Sequence, residues 1–183
     1  TETKSVNSTT EDIQFEKSIA DIKKWSAENP YLYTYTVELK DKKGTSIAAI
    51  SGKTGFRKVE LKNAQLLVNG KAITVKGVNL HEHHPDKGHV PDYEITRKDF
   101  ELMAENNINS VRMSHYPHGQ YVYDLADELG FYIVDEANIE THGFQIGLHA
   151  TSYLADDPEW HDAFMSRMVR MVQRDRNRPS IIL

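Results

Sequence analysis

Three short segments hold most of the residues able to do chemistry on a polar substrate. They are His81-Glu82-His83-His84-Pro85, Arg112-Met113-Ser114-His115-Tyr116-Pro117 and Asp135-Glu136-Ala137-Asn138-Ile139-Glu140-Thr141-His142-Gly143. Imidazoles and carboxylates exchange protons near neutral pH, and both ligate metal ions. Taken singly, each segment has a plain reading. His81, His83 and His84 fit a solvated loop or a metal site, His115 fits a buried ring satisfied by backbone, and Asp135 and Glu136 fit an ion pair with Arg112. Glu140 and His142 are two residues apart, so an extended backbone puts both side chains on one side. That pairing suits a divalent cation and suits a simple ion pair equally. The sequence has no phosphate-cradling GxGxxG or GxxxxGKS/T loop, and its His-Glu-His-His run is not the HExxH zinc helix.

Position in the chain is what joins the three segments. Each follows an apolar run that reads as a strand: Ile73 to Leu80, Ser110 to Met113, and Phe131 to Val134. Helices separate them. Thr96-Arg97-Lys98-Asp99 resembles a capping box and opens a helix with Phe100, Met103 and Ala104 on one face. Val122, Leu125, Ala126 and Leu129 have the spacing of a second helix that stops at Gly130. Asp157-Pro158 starts a third, with Trp160, Phe164, Met168, Met171 and Val172 on one face, and Ser180 to Leu183 begins a fourth strand. This rhythm means βαβ units and a parallel sheet. In a (β/α)₈ barrel, and equally in an open doubly wound sheet, ligands bind beyond the carboxyl ends of the strands. Either topology brings the three segments to one mouth.

The stretch before residue 63 is patterned differently. Tyr31 to Leu39 alternates aromatic and β-branched residues, and Ile47 to Ile50 and Phe56 to Leu61 continue the series, as in an all-β sandwich. Asn69-Gly70 between apolar runs predicts a type I′ hairpin. The expected organisation is therefore 1–62 as the C-terminal part of a β-sandwich and 63–183 as an α/β unit.

Bulk properties narrow the function classes. The formal net charge of −5 argues against nucleic acid as the main partner, and no apolar run is long enough to span a bilayer. Without cysteine there is no thiolate metal site and no Cys nucleophile, and no compartment is selected. The first residue is not Met and the last lies inside an apolar run, so both ends read as cut from a longer protein.

The motifs carry a resemblance as well. Gly77 to Pro85, Asn109 to Pro117 and Val134 to Gly143 closely resemble the large β-galactosidases of glycoside hydrolase family 2. Asp175-Arg176-Asn177-Arg178-Pro179-Ser180-Ile181-Ile182 resembles the stretch leading into that family's acid/base glutamate, and Trp25 to Tyr33 the end of its immunoglobulin-like domain. β-Glucuronidases of the same family differ in the first motif and in the Glu140-Thr141-His142 run, which favours a galactosidase. The resemblance implies the first half of a TIM barrel preceded by immunoglobulin-like strands. It further implies that His81, His115, Asn79 and Asp135 serve the sugar, with Arg112 orienting the nucleophile and Asn138 supporting the mouth. Glu140 and His142 would ligate Mg²⁺. Both catalytic glutamates would lie beyond Leu183, so the chain alone is expected to be inactive, with an incomplete metal site. An open barrel edge would leave it prone to self-association.

Overall fold

The computed structural model describes residues 1–8, 12–142 and 154–183. Its centre is a parallel sheet of three strands in the order β6 (Gly77–Leu80), β7 (Ser110–Met113) and β8 (Tyr132–Val134). Helix α1 (Tyr93–Glu105) connects the first pair and α2 (Gln120–Leu129) the second. A bridge from Ile133 to Ile181 marks where a fourth parallel strand begins. After a 3₁₀ turn at Pro158–Trp160, helix α3 (His161–Asp175) leads to it.

The core forms because alternate residues of these strands point to the helices. Val111, Met113 and Ile133 are fully buried with Phe100, Val122 and Ala126, and Val78 and Leu80 pack against them. Phe100 of α1 meets Phe131 edge-on at 4.8 Å. Burying a side chain of this size stabilises by about 1.5–3 kcal/mol. Gly130 ends α2 with φ of +83°, and a Cβ there would fall 2.2 Å from the Ala27 carbonyl. The opposite parity, Asn79, Arg112 and Val134, shares the other face, with Arg112 in register with both neighbours.

Four further points differ from the sequence expectation. The strand expected from Ile73 starts only at Gly77. The Asn109 side chain holds the bend before it, accepting from Lys76 N–H and donating to the Thr74 carbonyl. Helix α1 starts three residues before Thr96, because the Asp92 carboxylate caps it by accepting from Ile95 N–H at 3.1 Å. The apolar face read on α3 is only partly covered among the described residues: Phe164 and Met171 are half-buried, whereas Trp160, Met168 and Val172 are exposed. The run Phe56 to Leu61 is split. Arg57 leaves the strand and its guanidinium donates to the carbonyls of Pro179, Arg178 and Ile181.

What remains, β3 (Val59–Lys62), forms an antiparallel sheet with β4 (Gln65–Val68) and β5 (Lys71–Ala72), so this sheet runs across residues 62 and 63. Asn69 and Gly70 both have positive φ, as the hairpin signal predicts. Ahead of this sheet, β1 (Tyr33–Lys40) and β2 (Ser46–Thr54) make a two-stranded hairpin. Trp25 ties the N-terminal segment to the amino ends of the parallel strands. It is fully buried, donates from Nε1 to the Asp127 carbonyl at 2.8 Å and meets Tyr132 edge-on. The linking segment thus sits at the end of the sheet opposite the chemistry-bearing loops.

Candidate active site at the strand ends

The loops after β6, β7 and β8 converge. Arg112, on β7, aims its guanidinium at Glu136, just past β8, with Nε–Oε2 at 2.5 Å and Nη2–Oε1 at 3.1 Å. This two-pronged geometry fixes direction as well as charge. His115 joins the pair through Nδ1, which lies 2.8 Å from Glu136 Oε1 and 3.1 Å from Arg112 Nη2. Nδ1 can accept from the donor-only guanidinium or donate to the carboxylate but not both, and the shorter contact, to Glu136, is the one that takes the Nδ1–H. Burial pushes the Glu136 carboxyl up, but hydrogen bonds and charge from Arg112 and His115 outweigh it and hold the group below its ordinary range. The sequence reading of an ion pair to Arg112 is met by Glu136 and not by Asp135.

Asp135 faces the other way. Its Oδ1 accepts from the Tyr123 hydroxyl at 2.7 Å and from Glu136 N–H at 3.1 Å. Burial, aided by the nearby Asp175 charge, pushes the Asp135 carboxyl up to about 6 against those hydrogen bonds.

His81 comes from the β6 end. Its ring stands edge-on to His115 with centroids 5.4 Å apart, and 5.6 Å from His83. Partial desolvation, then repulsion from His115, His83, His89 and Arg112, pushes the His81 imidazole below its ordinary range. His84 is elsewhere, turned toward Asp92 at 3.8 Å. Asn79 is exposed and level with Arg112 in the strand register. Asn138 is exposed beside Pro117 and lines a hollow of about 330 Å³ with Arg167, Arg170 and Arg174.

The structure therefore brings together His81, His115 and Arg112, with Asn79 level with Arg112 in the register, whereas Asp135 is turned onto Tyr123. Glu140 and His142 pair with each other on the loop after β8 and, among the described residues, make no hydrogen bond or ion pair to that cluster. The His142 N–H donates to Glu140 Oε1 at 2.8 Å, and the side chains are 40% and 82% exposed for Glu140 and His142. An oxygen and a nitrogen donor on one short loop fit a divalent cation, but no third His, Cys, Asp or Glu joins them among the described residues. Gly143, which closes that motif, lies outside the described residues.

Several partners escaped the sequence reading. Tyr116 Oη accepts from Glu82 N–H at 3.2 Å and lies 2.5 Å from His89 Nε2. Tyr123 holds Asp135, and His118 lies fully buried against Tyr116 with centroids 4.9 Å apart. The available signal was that Tyr116 and His118 continue the segment that contains His115.

Comparison with known proteins places this arrangement. Residues 59–183 match the model of the glycosyl hydrolases family 2 TIM barrel domain, and residues 1–57 match that of glycosyl hydrolases family 2. The chain belongs to glycoside hydrolase family 2. It is 52% identical over 162 residues to a β-galactosidase of Pseudoalteromonas haloplanktis, covering 88% of this chain and 15% of that protein. A β-galactosidase of Alteromonas mediterranea is 48% identical over 175 residues, 94% of this chain and 16% of that protein. The chain thus spans about a sixth of these relatives' length. Among solved structures, a Ruminococcus gnavus β-glucuronidase in complex with uronic isofagomine superposes with a TM-score of 0.78 at 30% identity, covering 90% of this chain and 29% of that one. A Bifidobacterium dentium β-glucuronidase complexed with coumarin-3-O-glucuronide gives 0.77 at 32% identity over 88% of this chain and 25% of that one. The α/β architecture is therefore that of a TIM-barrel family, of which three parallel strands and the start of a fourth are present among the described residues.

Proposed function

We propose that this chain is part of a retaining β-galactosidase and supplies one wall of its sugar pocket. The carrying observation is the meeting of His81, His115 and Arg112 at the ends of successive parallel strands. In this reading His81 and His115 contact the galactosyl group and favour the transition state, Asn79 supports substrate binding, and Asp135, turned onto Tyr123, supports it indirectly through its hydrogen bond from Glu136 N–H. Arg112 lies beneath the nucleophile and orients it. Retaining hydrolysis needs two carboxyl groups roughly 5–5.5 Å apart, one as acid/base and one as nucleophile. Both would come from later strands of the full-length protein. Glu140 and His142 would hold Mg²⁺ with a ligand from that later part, and the bound cation would supply positive charge to the pocket.

The β1–β2 hairpin is read as the end of an immunoglobulin-like sandwich, with 1–62 and 63–183 as the two domain portions. The 183-residue chain alone has no turnover in this account, and its open sheet edge favours self-association. A β-glucuronidase-like specificity is the second reading, favoured by the solved neighbours, whereas the relatives at about 50% identity are β-galactosidases. The test assays nitrophenyl β-D-galactoside and β-D-glucuronide with the full-length protein and with this chain. Galactoside hydrolysis by the full-length protein and none by the chain is expected. A preference for the glucuronide would overturn the specificity, and turnover by the isolated chain would overturn its dependence on later residues.

A further inference from the structure

Besides the Ser114 hydroxyl on the Leu80 carbonyl and the His89–Tyr116 contact, the two histidine-bearing loops are fastened to each other by Glu82, a residue that the proposed chemistry does not use. Its backbone N–H donates to Tyr116 Oη at 3.2 Å. Its carboxylate Oε1 accepts from Gly119 N–H at 3.1 Å and from the Tyr121 hydroxyl at 3.2 Å. All three partners lie within six residues of His115, and Glu82 directly follows His81. Gly119 is built for this approach: a Cβ there would stand 3.3 Å from Glu82 Oε1 and 2.6 Å from the Tyr121 ring. The carboxylate is half-buried and also faces His118, which is buried and whose Nδ1 has no hydrogen-bond partner. A carboxylate accepting two hydrogen bonds across loops is a directional tie, stronger than neutral pairs of the same kind.

We propose that Glu82 is the positioning residue of the site, clamping the loop after β6 to the loop after β7 so that the His81 and His115 rings face one sugar. This rests on the galactosidase reading of that site. Small displacements of aligned groups are costly in catalysis, with about 1 Å worth about 10²-fold in rate. The loss should therefore fall on kcat more than on KM, because aligned histidines matter most when charge develops.

The experiment compares Glu82→Gln, Glu82→Leu and Tyr121→Phe in the full-length protein, reading kcat, KM and thermal midpoint on nitrophenyl β-D-galactoside. Glutamine keeps an acceptor oxygen for Gly119 N–H and should retain activity within about 3-fold. Leucine removes the acceptor and should lower kcat about 10²-fold with KM changed far less. If the leucine variant fails to fold, Tyr121→Phe, which removes one bond and no volume inside the clamp, should still lower kcat severalfold. Full activity in the folded leucine variant, or equal loss in the glutamine and leucine variants, overturns the clamp. An inactive wild type overturns the galactosidase reading instead, so the two failures are distinguishable.

Discussion

The β6–β8 unit and the β1–β2 hairpin are both built from apolar strands, yet they end in opposite situations. In β7 and β8 the helix-facing residues Val111, Met113 and Ile133 are fully buried. In the hairpin, Tyr35, Val37 and Leu39 alternate on one face opposite Gly52, Ile50 and Ala48. Tyr35, Val37, Leu39 and Ile50 are all between 47% and 66% exposed. The difference is partnership: α1 and α2 cover the parallel sheet, whereas nothing among the described residues covers the hairpin's apolar face. A strand pattern states which face must be buried, not whether the burying element is in the same chain.

The largest effect that would sharpen this contrast is a cavity in the covered sheet. Ile133→Ala should cost about 2–5 kcal/mol in urea unfolding, while Ile50→Ala in the hairpin should stay within about 0.5 kcal/mol. A comparable cost at Ile50 would mean the hairpin face is covered after all.

A smaller effect concerns the polar end of the covered sheet. With its folded pKa raised to about 6, Asp135 keeps a proton that the unfolded chain releases near pH 4. Its penalty therefore grows as pH rises from about 4 to about 6 and is complete above that. Asp135→Asn still accepts from Tyr123, so it should melt several degrees higher than wild type at pH 7.5, and the gap should close by pH 4. A gap independent of pH would contradict the buried-carboxyl account.

The smallest effect on stability lies on the open face. Val37→Lys with Ile50→Glu, an opposite-charge pair across the hairpin register, should leave the melting midpoint of the chain unchanged while lowering its association in sedimentation. Unchanged association would move the sticky surface to the open sheet edge or to the exposed Met165, Met168, Val169 and Val172 of α3.

Most of the site's placement was legible because strand and helix periodicity fix the order of elements, and the chemistry follows the strands. The resemblance in long, ordered motifs supplied the family. The capping residue of α1 was missed because Thr96-x-x-Asp99 and Asp92 both carry capping side chains, and only the extended backbone of Asp92, at φ −145° and ψ 117°, decides between them. The bend at Thr74 to Lys76 was hidden because it depends on Asn109, more than thirty residues away. The Glu82 clamp was invisible for the same reason: its partners are joined by the β6–β7 pairing, not by spacing.

The central claim is that imidazoles from two strand ends act together on one sugar. Its most direct test is kcat/KM on nitrophenyl β-D-galactoside for the full-length protein carrying His81→Ala or His115→Ala. Each variant should fold normally and lose at least about 10²-fold, as expected when a transition-state contact is removed. Folded variants within twofold of wild type would contradict the account.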